Sequence, residues 1–179
     1  MSAEELFPLV NENGETIGKA TRGECHSGSM LLHPVVHLHL ATEDGRLYLQ
    51  KRSMDKDIQP GKWDTAVGGH MDYGETVSQA LARESREELG VDVAQLKLIP
   101  VAPYVFHSDR ERELVNTFIA IAPDNITLTP DPGEIETGRF WDIAEIDSAV
   151  GTGVLTPNFE QEFARLRPLI LPPEPDRQS

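Results

Sequence analysis

Cysteine is almost missing from these 179 residues: Cys25 is the only one, so no internal disulfide can form and nothing requires an oxidising compartment. Long apolar runs are missing as well, none approaching the ~18 residues that cross a bilayer. The opening MSAEELFPLVNENGE is acidic and holds no apolar core of signal-peptide length. A cytoplasmic protein with no membrane contact is therefore expected. Basic residues are scarce, 16 against 30 acidic ones for a net charge of −14. That balance argues against a nucleic acid polymer as partner, because such binding rests on neutralising phosphates. An anionic small molecule stays open, since divalent cations can sit between acidic side chains and phosphate.

Internal repeats and Gly/Ser linkers are absent too, so one domain over residues 1–170 is expected, with the last residues, 171–179, as a disordered tail. The hydrophobic content of 39% is enough for a real core at this length. Leu6 to Val10, the turn NENG at 11–14 and Thr16 to Gly18 suggest an opening hairpin. Val35 to Ala41 alternates, with Val36, Leu38 and Leu40 on one face and His37 and His39 on the other. Asp44-Gly45 turns the chain into a strand at Arg46 to Arg52. Further strands are expected at Trp63 to Val67, Lys97 to Phe106, Leu114 to Ala122 and Gly138 to Trp141. Helices are expected from Thr76 to Gly90, Ile143 to Val150 and Asn158 to Leu169. Strands interspersed with a few helices indicate an α/β or α+β sandwich.

The segment GGHMDYGETVSQALARESREELGV, residues 68–91, carries the most chemistry. Thr76 and Gln79 have capping-box spacing, and Gly90 supplies a stop. Glu84, Glu87 and Glu88 then fall on one side of the helix within about 100°. Three carboxylates so close repel one another, and bound cations would remove that repulsion. Arg83 stands four residues before Glu87 and is placed to hold it. The opposite stripe of Val77, Leu81 and Leu89 should pack on the sheet, interrupted by Ser85, whose hydroxyl is expected to bond back to the Leu81 carbonyl.

Written as a pattern, Gly69, Glu75, Arg83, Glu84, Glu87, Glu88 and Gly90 form G-x5-E-x7-R-E-x-x-E-E-x-G, which resembles the signature of the Nudix hydrolases. Seven fixed positions at ~7% frequency each coincide by chance roughly once in 10⁸ placements. Ser85 stands where the family usually has an aliphatic residue. The resemblance implies an α/β Nudix fold, an α/β/α sandwich around a mixed β-sheet, and metal-dependent hydrolysis of a diphosphate linked to another group X. It implies Mg²⁺ or Mn²⁺ on Glu84, Glu87, Glu88 and the Gly69 carbonyl, with Arg83 orienting Glu87, Glu75 bracing the loop before the helix and Glu88 activating water. Glu134 and Glu136 are alternative bases. Homodimers are a family habit.

A second resemblance concerns the histidines. Mg²⁺-dependent isopentenyl-diphosphate isomerases share the fold and build a metal site from two histidines seven apart, a third in a C-G-H triplet, and two glutamates in E-x-E. Here His26 and His33 are seven apart, His70 closes Gly68-Gly69-His70, and Glu111 and Glu113 stand in RERE. A second metal site follows, suited to Zn²⁺ or Mn²⁺. His37 and His39 are expected to be structural, and Cys25 incidental. The likeness fails at the triplet's first position, where the isomerase has its catalytic cysteine and this chain has Gly68. The isomerase-like subgroup of Nudix hydrolases combines these features, and isoprenoid diphosphates or nucleotide-sugar-like compounds are the candidate substrates. Isomerase activity proper and a non-catalytic binding module are the alternatives.

Lys51, Arg52 and Lys56 form a basic group near the motif that suits a diphosphate. The isomerase resemblance favours Arg52 and Lys56. Trp63, Tyr104, Phe106, Phe140 and Trp141 are candidates to line group X, Phe140 and Trp141 by the same resemblance.

Overall fold

The computed structural model describes residues 4–56 and 58–170, so the tail expected at 171–179 lies outside the described residues. An opening hairpin forms as expected from β1 (Leu6–Val10) and β2 (Thr16–Thr21). Its turn is built by Asn11, whose side chain accepts from the backbone N–H of Asn13 and Glu15 at 3.0 Å each, and by Gly14 at φ +82°. A single helical turn follows, α1 (Arg22–Cys25), closed at its start by a Thr21–Glu24 capping box.

The main sheet is mixed. β3 (Leu32–Ala41) and β4 (Arg46–Arg52) meet only at Ala41 and Leu47 and then diverge. The opening between them is filled by β5 (Trp63–Thr65) on β4 and β6 (Val67–His70) on β3. The single strand expected at Trp63 to Val67 is thus two short ones serving different neighbours. On the other side β3 runs parallel to β9 (Arg112–Ile121), which also carries β7 (Leu98–Pro100) and β8 (Tyr104–His107). The strand expected over Lys97 to Phe106 breaks between these two, where Pro103 has no N–H for a ladder. β10 (Ile135–Asp142) pairs with β4 and ends the sheet.

Helices cover both faces, as the sandwich expectation requires. α2 (Val77–Leu89) has the Thr76–Gln79 capping box and a left-handed Gly90 at φ 65°. It packs Leu81 and Leu89 against Val36, Leu38, Leu40 and Val67. α3 (Ile143–Ala149) and α4 (Pro157–Ile170) put Ile146, Phe159, Phe163 and Leu166 against Leu47, Leu49 and Ile119 on the other face. Alternation along β3 and β4 supplies one set of side chains to each layer. Ser85 is buried on α2, but its hydroxyl has no hydrogen-bond partner among the described residues, so the bond to Leu81 is not made. No helix among the described residues is long and apolar enough to cross a membrane.

Candidate active site

Where β3 and β4 part, a cleft of about 700 Å³ opens, and its wall includes Glu84, Glu87, Glu88, His26, His70 and Glu113. The glutamate helix and the histidine cluster therefore face one space.

On the helix side, Glu84 lies so close to Gly69 that a Cβ on that residue would overlap its carboxylate. Glycine at 69 is what lets the helix approach β6. Arg83 is the organiser, though by a route the sequence spacing did not show. Its guanidinium grips Glu75 with two bonds of 2.9 Å, donates to Glu84 at 2.9 Å and reaches the His70 carbonyl at 3.0 Å. The expected contact to Glu87 is the weakest, at 3.5 Å, and Glu87 is 59% exposed at the rim. Glu75 also accepts from the Asp72 N–H at 2.7 Å, so it braces the loop entering α2. Glu88 is held by Gln50 and the Gly68 N–H, both at 3.4 Å.

Burial pushes the Glu84 carboxyl up to about 7 despite Arg83. Burial, with the charge of Glu84 added, pushes Glu88 up to about 8. A pair of carboxyls resisting ionisation on one wall is a cluster short of positive charge, and it fits a divalent cation.

The histidine cluster is assembled by strand register. β3 pairs His33 with Glu113 on β9, while β6, on the other side of β3, sets His70 opposite Val35. His26 arrives as the residue ending α1. One ligating atom from each of His26, His33, His70 and Glu111 lies within 4.8 Å of the others. His26 Nε2 is 3.2 Å from His70 Nε2 and 2.9 Å from Glu111 Oε2, and His33 Nε2 is 3.7 Å from Glu111 Oε2. These spacings approximate the ~3.3 Å edges of a tetrahedron with 2.0–2.1 Å bonds. His33 Nδ1 is 2.9 Å from the Leu31 carbonyl and donates to it, which leaves Nε2 bare and facing the cluster.

That His33 nitrogen is buried with no hydrogen-bond partner among the described residues. Burial lowers the His33 pKa, and burial with the neighbouring histidines takes His70 well below the usual value. Both imidazoles are thus neutral, as ligands must be. Glu113 stands 3.7 Å from His70, and burial beside Glu111 pushes its carboxyl up to about 8. Phe7 from the hairpin stacks on His70 at 4.6 Å and 4°, closing the cluster from the side. The donor set fits Zn²⁺ or Mn²⁺.

Other expected contacts divide. Arg52 and Lys56 line the cleft, but Arg52 is paired with Asp64 at 3.5 Å and Lys56 with Glu134. Lys51 is not part of its wall and pairs with Glu136 at 3.5 Å, so that residue pair is misplaced as a clamp and a base. None of Trp63, Tyr104, Phe106, Phe140 and Trp141 lines the cleft. Trp141 is buried against Trp63 at 5.2 Å, and Phe140 meets Tyr48 at 5.3 Å. Ile58 and Asn158 stand at the wall instead. His39 is structural as expected, but His37 also lines the cleft, which strand alternation alone did not show.

Comparison with known proteins agrees with this architecture. The model of the NUDIX domain matches residues 31–160. An isopentenyl-diphosphate Delta-isomerase of Brevibacterium linens is 31% identical over 172 residues, 93% of each chain. A protein of the same name from Enterobacter sp. is 38% identical over 135 residues, 73% of this chain and 74% of its own. Among solved structures, DR0079 of Deinococcus radiodurans superposes with a TM-score of 0.77 at 26% identity, covering 90% of this chain and 98% of that one. The NUDIX domain of Shewanella oneidensis NrtR, solved with ADP ribose, shares the fold at a TM-score of 0.62 and 16% identity over 77% of this chain and 88% of its own. A domain match across most of the chain, with relatives aligned along nearly its whole length, settles its kinship: the protein belongs to the Nudix family.

Proposed function

We propose that the protein is a metal-dependent hydrolase that cleaves a diphosphate linked to another group X, carried by an isoprenoid diphosphate or a nucleotide-sugar-like compound. Family membership supports action on a small-molecule diphosphate. The observation that favours hydrolysis is the pairing of a complete glutamate helix with a cleft that holds no thiol. Position 68 is glycine, and Cys25 is fully buried between Phe7 and Ala20. Burial, with Glu24 and Glu111 nearby, pushes that thiol up to about 11. It is not part of the cleft wall, so no cysteine can serve the allylic proton transfer of an isomerase.

Glu84, Glu87, Glu88 and the Gly69 carbonyl would hold Mg²⁺ or Mn²⁺, and His26, His33, His70, Glu111 and Glu113 would hold Zn²⁺ or Mn²⁺. The chemistry a divalent cation supplies when bound is neutralised phosphate charge and a more nucleophilic water. Glu88, buried beside Gln50 and the Gly68 N–H, accepts the water's proton. Arg83, locked by Glu75, keeps Glu84 aimed at Gly69, and Arg52 and Lys56 contact the diphosphate.

The second reading is isopentenyl-diphosphate isomerisation, favoured by the names of the relatives and by the histidine–glutamate cluster. The deciding experiment incubates the protein with Mg²⁺ and either isopentenyl diphosphate or ADP-ribose, followed by ³¹P and ¹H NMR. New monophosphate signals are expected, and the tube that shows them identifies the class of X. Unchanged phosphorus with a new dimethylallyl methyl signal supports the isomerase instead. Tight binding with no turnover in either tube supports a non-catalytic module.

A further inference from the structure

Glu162 of α4 is 1% exposed, and the reaction proposed above makes no use of it. It accepts from His37 Nδ1 at 2.8 Å, from His39 Nε2 at 3.0 Å, from the Thr117 hydroxyl and from the Tyr104 phenol. A carboxylate so deeply buried needs a positive partner. His39 is fully buried, and its Nδ1 has no hydrogen-bond partner among the described residues. His39 donates through Nε2, and the other imidazole on this carboxylate is that of His37.

His37 differs from His39 in having somewhere to point. Its side chain is 15% exposed, and the β3–β6 register sets it directly opposite Gly68. Its Cδ2 and Nε2 lie 3.4 and 3.5 Å from where a Cβ on Gly68 would stand. Any longer side chain at 68 would stand over this edge of the ring. Gly68 and Gln50, which touch Glu88, share the cleft wall with His37. Of the other cations of that wall, Arg22, Arg52, Lys56 and Arg83 are paired with carboxylates, while Arg110 also lines it. The Nε2 of His37 has no partner among the described residues.

We propose that His37 is a substrate-binding residue: held through Nδ1 by Glu162, it presents Nε2–H beside Gly68 to a phosphate oxygen of the diphosphate. The inference rests on the diphosphate reading of the cleft and adds a contact to it. The electrostatic surroundings agree. Burial alone would lower the His37 pKa, but Glu162, with Glu113 and Asp64 beyond it, outweighs burial and raises it to about 9. A cationic donor makes stronger bonds to phosphate than a neutral one.

The test measures binding of methylenediphosphonate, a diphosphate that cannot be hydrolysed, in the presence of Mg²⁺ by calorimetry. His37→Asn keeps an amide in the place of Nδ1 for Glu162 and removes the donor at the cleft. We expect it to bind about 10- to 100-fold more weakly than wild type. His37→Gln, whose amide nitrogen reaches the place of Nε2, should recover part of the loss, which a purely structural role would not produce. In the wild-type protein the His37 Nε2 resonance in ¹H–¹⁵N spectra should shift as ligand is added. His37→Asn binding within twofold of wild type overturns the inference. If that variant does not fold, an unmoved Nε2 resonance overturns it, as does a wild-type protein that fails to bind. Ligand binding through His37 by a protein that hydrolyses neither test substrate leaves this inference standing and removes the hydrolase reading.

Discussion

Magnesium binding at the glutamate helix should release protons, in an amount set by the structure. In the free protein burial holds Glu84 near 7 and Glu88 near 8. At pH 7, therefore, about half of the Glu84 carboxyls and about nine-tenths of the Glu88 carboxyls carry a proton. A hard cation takes only the ionised forms, so its binding should expel about 1.4 protons. The same linkage makes the apparent affinity rise about 15-fold between pH 7 and 8.5. Calorimetry at pH 7 in two buffers of different ionisation enthalpy counts the protons, and a titration at both pH values gives the ratio. Mg²⁺ suits the assay because it prefers oxygen ligands to imidazole. Glu88→Gln leaves only Glu84 to titrate, so release should fall to roughly half a proton and the pH gain to about twofold.

The sign for folding is opposite to the usual carboxylate case. Raised pKa values mean that the folded, metal-free protein binds more protons than the unfolded chain, from the ordinary carboxylate range up to about 8. Its stability should fall as pH rises through that window, and Mg²⁺ should restore it. Proton release near zero with a flat affinity would refute the argument, because the carboxylates would then already be ionised and burial would not govern them.

Three further results are expected. Glu88→Gln should lower the hydrolysis rate about 10²- to 10⁴-fold with the fold intact by circular dichroism, and wild-type turnover would remove Glu88 as the base. His26→Ala should lose Zn²⁺ or Mn²⁺ affinity by more than about tenfold in metal analysis while its melting temperature without metal stays close to wild type, since His26 is 27% exposed; full metal retention would show that the cluster is not a site. Gly68→Cys should fold at a cost of no more than about 1–2 kcal/mol, since a Cβ there makes ordinary contact with His37. A dimethylallyl signal from that variant alone would mean that one residue separates the two chemistries, whereas collapse on thermal melting would refute the packing.

Much of the fold was legible because its signals are local. The Thr76–Gln79 box and Gly90 bound α2 within one residue of the expectation, since capping depends on neighbours three or four positions away. The NENG turn and the alternation of β3 belong to the same class. The strand over Trp63 to Val67 was misread because its halves pair with different strands, and no local residue records which partner a strand will find. The break at Pro103 was there to be seen in the missing donor.

The site was legible in its residue types and less so in its geometry. Helical periodicity placed Glu84, Glu87 and Glu88 on one face, but Glu84 and Glu88 are enclosed against Gly69 and Gly68 while Glu87 stays in solvent. Spacing suggested Glu87 for Arg83, yet the planar guanidinium prefers the two-bond grip that Glu75 offers from the preceding loop. Lys51 and Arg52 are adjacent, and on a strand adjacent side chains point to opposite faces, which excludes one of them from any common clamp. The role of His37 was the least accessible, because the carboxylate that fixes it lies 125 residues later on α4 and the nitrogen it leaves uncovered is exposed by a glycine on another strand. Glycine at 68 leaves the wall open to that imidazole. A change of chemistry at position 68 therefore need not empty that part of the cleft, since it hands the space to a side chain anchored elsewhere.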